Sequence, residues 1–120
     1  MDNSTQLLHN NRLFIETDDL ILTLYLDQIY FVQLVAQQKI QISGQNFNYS
    51  LPINNNNNIV SKIQNSGFIR LNKSFYINPL QISEFNMKKL ELIFTNGAKI
   101  LISSYGSKKL LRYFVENPIN

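Results

Sequence analysis

Short runs of alternating apolar and polar residues cover most of this chain, and period two is the mark of a strand with one buried face. Residues 13–17 and 20–25 flank Asp18-Asp19, a pair that favours a tight turn. Residues 28–34 are rich in aromatic and β-branched side chains. Lys39, Ile40, Gln41 and Ile42 alternate strictly, Gly44 permits a turn, and in 46–51 Phe47, Tyr49 and Leu51 share one face. Pro52 closes that strand because proline cannot donate to a ladder. Further strands are expected at 68–71, 75–78, 82–86, 90–94 and 99–103. Thr95-Asn96-Gly97-Ala98 joins the last two, and Asn-Gly between alternating runs signals a hairpin whose two central residues take positive φ.

Helical spacing is confined to two places. Ile59, Val60 and Ile63 fit a short helix over 59–64, capped by Asn58 and stopped by Asn65-Ser66-Gly67. Leu110, Leu111, Phe114 and Val115 fit a second over 108–115, with Ser104 or Ser107 as its cap. The asparagine run 54–58 has no apolar face to bury and reads as a loop. Many short strands with little helix predict an all-β sandwich or barrel. No repeat or linker divides the chain, so one domain over 12–116 is expected behind a flexible segment 1–11.

Composition narrows the function classes. A 44% hydrophobic, 16% charged chain of 120 residues can build a core. Its longest apolar runs are too short to span a bilayer, and Met1–Asn11 has no signal-peptide pattern, so a cytoplasmic location is expected. The absence of cysteine excludes disulfides and thiolate chemistry. A single histidine, His9, excludes a multi-histidine zinc site, and no glycine-rich phosphate loop precedes a helix. Asp18 and Asp19 read as a turn rather than a catalytic pair. No enzyme, cofactor or metal is therefore expected. The net charge of +3 hides a split. Residues 1–38 set Arg12 against five acids, −4, whereas 39–120 set ten Lys/Arg against Glu84, Glu91 and Glu116, +7. Such asymmetry is the footprint of an anion-binding face.

One ordered set of motifs adds to this. Phe68-Ile69-Arg70-Leu71-Asn72-Lys73-Ser74-Phe75-Tyr76-Ile77-Asn78, with Ile82 beyond it, resembles the signature of the LytTR DNA-binding family in Phe68, Arg70, Ser74, Phe75 and Asn78. Asn72 stands where the family usually has histidine, and Lys73 where it has a polar or basic residue. The run from Leu92 to Ser103 is similar to the family's closing hairpin, and Asp27-Gln28-Ile29-Tyr30-Phe31 to an upstream strand. The resemblance spans about 12–115. It implies an elongated β-sandwich of short, mostly antiparallel strands with one or two short helices. It also implies a bacterial transcription regulator that inserts loops into successive major grooves of double-stranded DNA, usually as two copies on a direct repeat.

By matching positions, the DNA-contacting residues are Gln37, Gln38 and Lys39 between early strands, Asn72 and Lys73 in the loop before Phe75, and Ser104 and Tyr105 in a loop after the hairpin. Asn and Gln suit adenine and Lys suits guanine or phosphate. Lys108 and Lys109, with Arg112, are better placed for phosphates. Arg70 fits either a phosphate contact or a scaffold that fixes a loop. Ser74 and Asn78 fit backbone ties at strand ends, Phe68, Phe75, Ile77 and Ile82 fit the core, and Lys88 and Lys89 a solvated turn. Tyr105 replaces a common arginine of the family and cannot fork onto guanine. Because the chain starts at Met1 with no receiver domain before its first strand, a stand-alone regulator is expected. The resemblance then implies a membrane-bound inhibitor protein as partner. Two other classes fit the residues: a β-domain protein-interaction module that adds a partner strand at an open edge, and a single-strand or RNA binder using sheet aromatics.

Overall fold

The computed structural model describes residues 11–16, 19–35, 39–52 and 58–116. His9, Asp18, Gln37, Gln38 and the asparagines 54–57 lie outside them. Among the described residues ten strands form where the alternation predicts them and two α-helices where helical spacing does. β1 (Arg12–Glu16) and β2 (Ile21–Tyr25) make an antiparallel pair, followed by β3 (Ile29–Val35), β4 (Lys39–Gly44) and β5 (Asn48–Pro52). Helix α1 (Asn58–Gln64) leads to β6 (Ile69–Asn72), β7 (Phe75–Ile77), β8 (Ile82–Asn86), β9 (Glu91–Phe94) and β10 (Lys99–Leu101), and α2 (Ser104–Glu116) closes the chain. Among the described residues no helix is long and apolar enough to cross a membrane.

The strands form three antiparallel sheets. A central five-stranded sheet has the order β5-β4-β3-β7-β6, a three-stranded sheet has the order β10-β9-β8, and β1-β2 stand as a ribbon. Two cores result, one on each face of the central sheet. The first gathers Leu13, Ile15, Leu24, Ile29, Val32, Ile40, Ile42 and Tyr76 with Ile59 and Ile63 of α1. The second gathers Tyr30, Leu71, Ile77, Leu92 and Phe94 with Leu110 of α2. Phe75 and Ile82 pack against the second core and Phe68 against the first, as expected of them.

β3 belongs to both cores and departs from strict alternation. Its register against β4 shifts between Ile29 and Phe31. An extra residue in a strand turns two neighbours toward the same side. Ile29 and Val32 therefore enter the first core, while Tyr30 and Phe31 both enter the second and stack on Phe94 at 5.1 and 6.0 Å.

Asn78 is 4% exposed and ties the two layers together. Its Nδ2 donates to the carbonyls of Leu26 and Ile29 at 3.3 and 3.0 Å, and its Oδ1 accepts the Leu80 N–H at 3.1 Å. These bonds join two short 3-10 turns, Leu26–Gln28 and Pro79–Gln81, at one end of the central sheet.

One turn differs from expectation. Between β9 and β10 only Gly97 has positive φ, +89°, not Asn96 as well. Gly97 N–H donates to Phe94 O and Asn96 Oδ1 accepts the Ala98 N–H, so the hairpin closes through a longer turn with glycine at its left-handed position. Leu90, in the β8–β9 turn, also takes a positive φ, 53°, beside Asn86 Oδ1, which accepts the N–H groups of Lys88 and Lys89.

Candidate nucleic-acid interface

Antiparallel pairing decides which loops share an end. β3 ends at Val35, and β7 pairs with it through Gln33↔Phe75, so the β6–β7 turn (72–74) lies beside the end of β3. Leu34 N–H donates to Ser74 O at 2.8 Å and fixes that neighbourhood. Lys39, exposed at the start of β4, belongs to the same end. Gln33, Asn72 and Phe75 line a cleft of about 150 Å³ together with Leu101, Ile102 and Ser103, which brings the β10–α2 corner alongside. Ile102 N–H donates to Leu90 O at 2.9 Å, so the Lys88-Lys89 turn joins the group. Lys39, Lys73, Lys88, Lys89 and Lys108 are all exposed.

The β6–β7 turn is built from inside. Arg70 donates from Nε to Asn72 O at 3.2 Å and from Nη2 to Lys73 O at 3.1 Å, and its guanidinium carbon lies 5.7 Å from the centre of the Tyr76 ring. Of its two expected roles, the structure displays the scaffold. Asn72 Oδ1 accepts the Ser74 N–H at 2.9 Å and its hydroxyl at 3.2 Å. The Ser74 hydroxyl thus bonds a side chain, not the backbone expected for it. The carbonyl half of the Asn72 carboxamide is consumed in the turn, and its NH₂ is what the turn offers outward. A two-bond grip on adenine uses both halves, so it requires this turn to open. Lys73 stands exposed beside it.

Ser104 and Tyr105 are not in a loop. Helix α2 starts at Ser104, four residues before its expected start, because Ser103 caps it: Ser103 Oγ accepts the Gly106 N–H at 3.0 Å. Ser104 and Tyr105 therefore occupy the first turn, where backbone N–H groups have no partner inside the helix. Neither Ser104 nor Ser107 is the cap, and Ser107 is buried. Apolar periodicity alone could not find this start, since residues 103–107 carry no aliphatic side chain.

Lys109 does not extend freely to solvent. Its Nζ donates to Arg70 O at 3.0 Å and lies 5.3 Å from the centre of the Tyr105 ring. One ammonium thus locks the first turns of α2 to β6, and Arg70 in turn holds the β6–β7 turn. Asn72, Lys73, Ser104, Tyr105 and Lys108 are carried on one connected block. Gln33, Lys88 and Lys89 join this end although sequence reasoning did not select them. Lys88-Lys89 was visible as a basic pair, but only the Ile102–Leu90 bond brings it to the cleft. Gln37 and Gln38 fall in the undescribed β3–β4 connection.

Known proteins share this family signature and fold. The family model of the LytTr DNA-binding domain matches residues 19–114. A solved LytTr DNA-binding domain, from a Bacillus cereus protein described as a methyl-accepting/DNA response regulator, is similar in fold with a TM-score of 0.61. The match has 20% identity and covers 84% of this chain and 96% of that one. No curated protein matches the chain. With the family model running from the β1–β2 turn to the last turns of α2, through every strand and helix of the basic end, the chain belongs to the LytTR family of DNA-binding domains.

Proposed function

We propose that this domain is a sequence-specific, double-stranded DNA-binding transcription regulator acting in the cytoplasm without catalysis. Its basic end enters the major groove with the β6–β7 turn and the first turn of α2. The observation that carries the reading is the Lys109–Arg70 connection, which makes those two segments one rigid unit beside five exposed lysines. Rigid presentation matters because a contact set fixed before binding loses little entropy on docking. Asn72 offers donors to an acceptor on a base edge, and Lys73, Lys88, Lys89 and Lys108 neutralise phosphates. Lys39, with Gln37 and Gln38 beside it in sequence, extends the contact from the neighbouring connection. Two copies on a direct repeat would double this contact set, and a membrane-bound inhibitor is the regulatory partner that the family resemblance suggests.

The test is selection of bound duplexes from a random pool, followed by salt titration of the winner. A recovered direct repeat and a steep fall of affinity with salt support the reading, because bound lysines release counterions from phosphates. Asn72→Ala should lose sequence preference, whereas Lys73→Ala should weaken binding to all sequences alike. Affinity insensitive to salt would overturn it and favour a protein partner.

A further inference from the structure

We infer that the β10–α2 corner reads the C5-methyl group of thymine, with Leu101 and Tyr105 as specificity-determining residues. The inference rests on the DNA-binding reading above. Leu101 is 76% exposed and Tyr105 61% exposed, on either side of the Ser103 cap. Exposed apolar side chains of this size are usually scattered. Here they flank a corner with an excess of cations: Lys73 next to the cleft residue Asn72, Lys88 and Lys89 in the turn fastened to Ile102, and Lys108 on the helix, against one half-buried acid, Glu91, that pairs opposite Leu101. Such a cationic excess suits a polyanion, and exposed apolar side chains set between the cations suit base edges rather than phosphates.

The chemistry at that corner selects among bases. Guanine calls for a cationic fork and cytosine for a carboxylate acceptor, and neither Leu101 nor Tyr105 supplies one. In the major groove thymine alone presents an apolar group, its methyl. Tyr105 is held for such a contact, since the Lys109 ammonium lies 5.3 Å from its ring centre and is itself bonded to Arg70 O. Its ring is thereby oriented before DNA arrives. Leu101 lines the same cleft as Asn72, so the methyl contact would adjoin the base edge that Asn72 faces.

The experiment replaces each thymine of the selected duplex in turn by deoxyuridine, which removes the methyl and keeps the pairing. Affinity is read by fluorescence anisotropy. The expected result is a loss of about four-fold at one or two positions, the effect of one buried carbon, and no loss elsewhere. In Leu101→Ala or Tyr105→Ala the sensitivity at that position should vanish, while Tyr105→Phe, which keeps the ring, should retain it. Both residues are exposed, and a circular-dichroism melt checks that each variant is folded. Uniform binding to every deoxyuridine duplex overturns the inference and leaves the DNA-binding reading standing. Sensitivity that survives both alanine variants assigns the methyl contact elsewhere and also overturns it. Absence of salt-sensitive binding to any duplex removes the DNA-binding reading and this inference with it.

Discussion

Arg70 offers a clean separation of scaffold from contact. Its two hydrogen bonds to the carbonyls of Asn72 and Lys73 are charge-assisted but exposed. Discounted for solvent, the pair stabilises the turn by about 0.7–1.4 kcal/mol. A turn loosened by that amount is competent for only part of the time, and apparent affinity falls by the same fraction, up to about ten-fold. Arg70→Lys keeps the charge but loses the planar fork, and Arg70→Gln loses both. If Arg70 acts as scaffold, both variants weaken DNA binding to a similar extent, about three- to ten-fold, and the slope of log affinity against log salt stays unchanged. If Arg70 instead touches phosphate, Arg70→Lys binds nearly as wild type and Arg70→Gln flattens the slope by about 0.9. Anisotropy titrations at four or five salt concentrations distinguish the two. A flattened slope in Arg70→Gln with Arg70→Lys unaffected would refute the scaffold argument.

Three stability predictions accompany it, read by urea or thermal denaturation with circular dichroism, since the chain has no tryptophan. Asn78→Ala strands buried backbone groups and should cost about 2–4 kcal/mol; Asn78→Asp, which turns a carboxylate toward two carbonyl oxygens, should cost more, and equal stability of the two variants would refute the donor role. Gly44→Ala should cost about 2–3 kcal/mol, because an added Cβ would collide with the Phe47 ring and stand 2.5 Å from Gln28 O, which is backbone; a change under half that would show that the β4–β5 corner yields. Ser103→Ala should remove about 1 kcal/mol through the lost cap on α2, a drop of a few degrees in Tm.

The strands were legible because one face of nearly every strand is buried, and burial writes itself as alternation. Ile40 and Ile42, or Leu92 and Phe94, need no more than that. β3 shows the limit: a bulge makes Tyr30 and Phe31 neighbours in the same core, which a period of two cannot express. The start of α2 was hidden for a different reason. Its first turn is held by a single side-chain cap and carries no apolar stripe, so hydrophobic spacing is silent until Leu110. At the interface, Asn72 and Lys73 could be picked by position, but not that the Asn72 carbonyl is spent on Ser74, nor that Lys109 bonds Arg70 from thirty-nine residues away. Such pairings depend on which elements meet across layers, and local sequence does not encode that.

The place of β3 in the central sheet has a consequence for the chain as it is made. β4 follows β3 directly and can pair with it at once, with β5 adding to β4, but the other neighbour of β3 is β7. Between Val35 and Phe75 forty residues must be synthesised, which takes about 2–8 s at ribosomal speed. During that interval the apolar segment Ile29–Val35 keeps one row of backbone donors and acceptors unsatisfied. A nascent or truncated chain that stops before β7 therefore carries an aggregation-prone edge at its centre, and the arrival of Phe75–Ile77 is what seals it.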